Sequence, residues 1–176
     1  MRTGVIRCIG TGVLMLVLAA PGIALAGDSG KGCTFDGTWF GVTSPDDPVL
    51  TGWMVTAEAR AANHGTNNLE YPTFDATLGG AFVDAARIST LRGAWERVGG
   101  NRFVYTMTGM GVTSDGTPVW VGKLSGTIVL SADCNSETIT ATLEVFHPAV
   151  SPFDGEPMFA MTLPEHFGKR AYVDLP

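Results

Sequence analysis

An all-β fold, an antiparallel up-and-down β-barrel of about seven to nine strands, follows from three features of the chain. Beyond its first residues the sequence is rich in Gly, Thr and Val and poor in the Leu-Glu-Lys patterning of helices. Short segments alternate apolar and polar residues with period two, between clusters of Gly, Asn, Asp, Ser and Pro. Four such segments, from Leu91 to His147, succeed one another through hairpin-type turns. Closing such a meander removes its edge strands. A β-sandwich satisfies the same spacing and stands as the alternative.

Residues 1–26 have the form of a secretory signal peptide, with Arg2 and Arg7, an apolar run from Val13 to Ala20, and a small-residue cleavage site at Ala24-Leu25-Ala26. The run is too short to span a bilayer, and Pro21 and Gly22 break it, which disfavours an anchor helix. Ser29-Gly30-Lys31-Gly32 before Cys33 disfavours a lipidation site. Cleavage near Ala26 leaves 150 residues, 27–176, as a single exported domain, periplasmic or extracellular. Loss of the two leader arginines takes the net charge from −6 to −8. Such a surface repels phosphate backbones, so nucleic acid is a poor partner. No basic amphipathic stretch suggests stable membrane insertion.

Cys8 leaves with the leader, and Cys33 and Cys134 remain. An even count in an oxidising compartment predicts a disulfide between them. Metal binding requires more ligands than two distant cysteines supply.

Asp36–Thr43 is expected as the first strand, with Gly37, Trp39 and Gly41 on one face. "SPDDP" ends it. Thr51–Ala59 alternates Trp53, Val55 and Ala57 against Met54, Thr56 and Glu58, and its continuation "AEARAANHG" reads equally as a helical turn closed by Gly65. Residues 63–90 are the least regular, with "NHGTNN" as a loop and a short helix between Ala81 and Arg87. Strands are expected next at Leu91–Val98, Arg102–Thr113, Thr117–Leu130 and Glu137–His147. Gly122 and Gly126 share a face with Trp120 and Leu124, which predicts curvature or close backbone approach. Pro157–Leu163 is a last short strand, and "PEHFGKRAYVDLP" is expected to pack across an end.

Gly37-Thr38-Trp39, opening the first strand after a leader and a cysteine, resembles the G-x-W signature of the calycin group, which holds lipocalins, fatty-acid-binding proteins and avidin-like barrels. The resemblance covers residues 33–163 at the level of fold. It implies that Trp39 plugs a closed end and that the cavity takes a small apolar ligand. Lipocalins place a late basic residue over this Trp, and Arg170 is the residue that could fill that position. "GAWERVGG" does not supply the residues with which avidin-like proteins hold biotin, so no biotin site is implied.

The resulting expectation is an exported protein that binds a small apolar or amphipathic molecule without a cofactor. Trp39, Trp95, Phe103, Tyr105, Met107 and Trp120 are the expected lining. A barrel isomerase or cyclase is the alternative, with His147 at the strand end or Tyr105 as acid or base. A solid-core envelope module is another, in which the same aromatics are core. His64, His147 and His166 show no metal-ligand spacing, no G-x-S-x-G elbow is present, and Asp46-Asp47 and Asp115-Gly116 read as turn acids. Asp133 and Glu137, flanking Cys134, read as solvated. Oligomeric state is not encoded in any of these features.

Overall fold

The computed structural model describes residues 32–46 and 48–171. The expected signal peptide and cleavage site, residues 1–26, lie outside the described residues, as does Asp47. Ten strands form: β1 (Gly37–Val42), β2 (Leu50–Ala61), β3 (His64–Glu70), β4 (Arg87–Ile88), β5 (Leu91–Gly99), β6 (Arg102–Val112), β7 (Pro118–Leu130), β8 (Ser136–Phe146), β9 (Phe159–Thr162) and β10 (His166–Arg170). No helix occurs among the described residues.

Every pairing is antiparallel. The path runs β1-β2-β3-β5-β6-β7-β8, and β10 closes it by pairing with β8 on one side and β1 on the other. Closure rules out a sandwich and gives an eight-stranded barrel with two extra strands. The short β4 pairs β6 beyond the reach of β5, and β9 pairs the second half of β8 while β10 takes the first half.

Strand periodicity fixes what faces inward. Trp53, Val55 and Ala57 of β2, Phe103, Tyr105 and Met107 of β6, and Trp120, Leu124, Ile128 and Leu130 of β7 are all buried in one cluster. The outer faces carry polar pairs such as Lys123 Nζ to Glu144 Oε2 at 2.7 Å and the Thr127 and Thr140 hydroxyls at 2.7 Å. Three interior indoles lie against a glycine of the neighbouring strand: Trp53 on Gly41, Trp95 on Gly65, and Trp120 on Gly111. A Cβ at those glycines would come within 2.2, 2.7 and 2.0 Å of the ring, so glycine is what lets the large side chain lie flat on the wall. Gly126 makes the close approach expected of it, since its Cβ would meet the Thr140 carbonyl at 1.9 Å.

Three expectations from the sequence are corrected. "NHGTNN" is not a loop: from His64 onward it belongs to β3, where Gly65, Asn67 and Leu69 face the interior. Ala81–Arg87 is not helical but a succession of turns ending in β4. Gly79 and Gly80 sit at positive φ before it, and the Asp75 carboxylate accepts from Thr77 N and Gly79 N, so the backbone finds partners outside a helix. The segment "EHFGKR" does not pack across an end, because His166–Arg170 is the closing strand. The run "AEARA", open between two readings, resolves as strand rather than helical turn, since β2 continues to Ala61.

Candidate functional site

One end of the barrel is sealed. Residues 32–36 cross it, held by the Cys33–Cys134 disulfide and by Cys33 N donating to Asn101 Oδ1 at 3.0 Å. Arg97 Nη2 donates to the Cys33 carbonyl. Phe35 is wholly buried there, with ring centroids 5.7, 5.8 and 5.7 Å from Trp39, Trp95 and Phe103. Trp39 Nε1 donates to the Phe35 carbonyl at 3.0 Å. Two arginines flank this aromatic plug: Arg170 lies 4.6 Å from the Trp39 ring centroid and Arg97 lies 4.9 Å from that of Phe103. Arg170 Nη2 also donates to the Thr34 carbonyl, which ties the last strand to the entering chain.

The opposite end is covered by residues 71–90, the connection between β3 and β5. Trp120 Nε1 donates to the Ala76 carbonyl at 2.9 Å, and Phe82 packs on Trp120 and Phe159 with centroids 6.4 and 6.3 Å away. Tyr71 and Phe74, 5.4 Å apart, turn toward the interior.

Between plug and cover lies a cavity of about 70 Å³. Trp53, Leu69, Met107, Trp120, Leu124 and Leu143 are among the residues of its apolar wall. Tyr105, Met107 and Trp120 of the expected set therefore line it, whereas Trp39, Trp95 and Phe103 belong to the plug beneath. His147 lies beyond β8, exposed and outside the lining, where its Nδ1 accepts from Ala149 N at 3.2 Å.

Two polar residues in the wall were not anticipated. Glu137 is 1 % exposed rather than solvated, and neither carboxylate oxygen has a hydrogen-bond partner among the described residues. Asn67 is also 1 % exposed, with both amide atoms unpartnered. Glu137 faces inward because it shares the parity of Ile139, Ala141 and Leu143 along β8, and Gly168 of β10 leaves it room: a Cβ there would lie 2.3 Å from Oε1. That parity was the available signal. Burial pushes the Glu137 carboxyl up to about 8, opposed by the nearby positive charge of Arg170. At neutral pH this group is largely protonated and offers an O–H donor. Burial, and then the Glu137 charge, push the Tyr105 phenol well above its ordinary value. His166 completes the polar part of the lining. Among the described residues no three His, Cys, Asp or Glu side chains gather as a metal site.

Comparison of the chain with protein-family models, with characterised proteins and with solved structures finds no match.

Proposed function

We propose that this chain is an exported, calycin-like binding protein that holds a small apolar or amphipathic molecule inside its barrel. The observation that carries the reading is the cavity: an apolar, aromatic wall interrupted by Glu137 and Asn67, whose polar atoms find no partner among the described residues. A buried polar group without a partner costs about 1–3 kcal/mol, and a ligand that supplies the partner recovers it. Apolar walls with a few inward polar groups are the usual composition of small-molecule sites.

The sealed end supports the calycin likeness. Arg170 over Trp39 places a late basic residue on the first-strand tryptophan, as the resemblance of Gly37-Thr38-Trp39 to the lipocalin signature implies. The disulfide suits an oxidising compartment and so supports export. No helix among the described residues is long and apolar enough to cross a membrane.

Size bounds the ligand. A cavity of about 150 Å³ binds benzene, and the space here is about 70 Å³. It takes a very small molecule or the end of a longer one, and a bulkier guest requires Tyr71 and Phe74 of the covering segment to move aside. Native mass spectrometry of protein purified from its own host tests the reading. The expected result is a bound mass that denaturation releases. No bound species, together with no uptake of a fluorescent apolar probe, overturns it.

A further inference from the structure

The polar atoms of the cavity wall also bear on the ligand's head group, an inference that rests on the cavity being a binding site. Asn67 offers an amide donor and an amide acceptor to the interior, with no partner for either among the described residues. Glu137 offers two oxygens on the same terms, with Tyr105 near enough to feel its charge. These groups ask for a ligand that both donates and accepts. They do not ask for a charge. An anion entering the barrel would have to shed its water in an apolar enclosure, and Arg170 is already engaged with the Trp39 ring and the Thr34 carbonyl. An ammonium would have to shed its water while Arg170 contributes a positive field at the same carboxyl. An uncharged head group escapes both penalties and satisfies the orphaned atoms.

We propose that the barrel selects ligands whose polar end is uncharged and carries both a hydrogen-bond donor and an acceptor, as a primary amide or an alcohol does, and that this end lies inward against Glu137 and Asn67. The apolar tail then runs along Trp53, Met107 and Trp120 toward Tyr71 and Phe74. This orientation puts selection at the bottom of the cavity, not at its covered mouth.

A matched series separates head-group selection from ligand binding as such. Hexanamide, hexan-1-ol, hexanoate, hexylamine and n-hexane are titrated at pH 7 into isotopically labelled protein. The readout is the set of tryptophan indole N–H resonances, since Trp53 and Trp120 line the cavity. The expected order places the amide and the alcohol at least tenfold tighter than hexanoate and hexylamine, and tighter than hexane. Asn67→Leu and Glu137→Leu, which each remove one set of orphaned polar atoms, each lower the amide's affinity toward that of hexane. The wild-type series decides the matter even if a variant does not fold. Binding of all five with equal strength, or tightest binding of hexanoate or hexylamine, overturns the head-group inference while leaving the cavity reading intact. Failure of every compound, hexane included, to bind overturns both.

Discussion

The guanidinium of Arg170 lies 4.6 Å from the centroid of the Trp39 ring, so the last strand of the barrel clasps the first at its sealed end. The contact does more than join two strands. It closes one side of the aromatic plug, anchors the Thr34 carbonyl, and supplies the positive field that Glu137 feels inside.

Arg170→Met keeps much of the apolar stem and removes the charge. A partly desolvated cation–π contact is worth up to about 2 kcal/mol, and a charge-assisted hydrogen bond about 1.5–3 kcal/mol. Overlap between the two and some water access bring the expected loss to roughly 2–3 kcal/mol in urea unfolding. Arg170→Lys recovers only part of it, because an ammonium cannot cover the ring and reach Thr34 in the same plane. The near-ultraviolet circular dichroism of Trp39 changes in both variants. Wild-type stability in Arg170→Met would contradict the clasp.

Glu137 sets the sign of a pH dependence. Its carboxyl has an ordinary value near 4.5 in the unfolded chain and about 8 in the barrel. Between those values the native state holds a proton that the unfolded state has released, so stability falls as pH rises through this window. The contribution is fully present below about 4.5. Glu137→Gln removes the dependence, and the difference between wild type and variant in urea unfolding shrinks or reverses from about pH 5 to about pH 8.5. Subtracting the variant cancels the contributions of groups that lie away from Glu137. Parallel curves for the two proteins would show that the carboxyl is not held neutral.

The disulfide spans 101 residues and fastens the segment that carries Phe35. On a loop-closure estimate such a bridge is worth about 4–5 kcal/mol. At roughly 2–4 °C per kcal/mol for a chain of this length, a Cys33→Ser/Cys134→Ser variant loses roughly 10 °C or more in Tm. The Phe35 contacts and the Cys33 N to Asn101 bond lie at the same end, so the variant also exposes Trp95 and Phe103 to quenchers before global unfolding. Unchanged quenching below the transition would mean that Phe35 holds the plug without the bridge.

The barrel was legible where strands alternate large apolar with polar residues, as in β6 with Phe103, Tyr105 and Met107. It was not legible in β3, whose inward residues are Gly65, Asn67 and Leu69. Glycine is required there because Trp95 lies over it, and asparagine is read as loop-forming wherever burial is not known. The closing strand β10 was hidden for a related reason. His166, Gly168 and Arg170 face inward, each matched to a neighbour: the cavity, Glu137 and Trp39. The aromatic residues were found, but strand parity alone cannot divide them between plug and cavity. That division depends on Phe35, whose position comes from a disulfide-tethered segment outside any strand. Glu137 was judged by its neighbours Asp133 and Cys134, when its spacing from Ile139 and Ala141 held the better signal.

Trp120 joins the cavity wall to its cover. Its indole N–H donates to the Ala76 carbonyl at 2.9 Å, its ring meets Phe82, and Gly111 gives it room. Trp120→Phe keeps an aromatic ring and removes the donor, leaving the Ala76 carbonyl without that bond. The missing bond costs about 1–2 kcal/mol, and the smaller ring adds a packing loss. Part of this cost falls on residues 71–90 alone, since that segment is built from turns and its backbone joins the sheet mainly through the two-residue β4 and its flanking residues Ala86 and Ser89. Amide hydrogen exchange at Phe74–Ala85 is therefore expected to speed up roughly tenfold, with β6 and β7 little changed. If ligands enter past this segment, association with hexanamide also quickens in the variant. Gly111→Ala displaces the same indole from the other side, because its Cβ would lie 2.0 Å from Trp120 Nε1. The two variants should then share one pattern, faster exchange in the cover over a protected barrel. Uniform acceleration across the barrel in both would show that the cover and the strands open as one unit and that Trp120 is no latch.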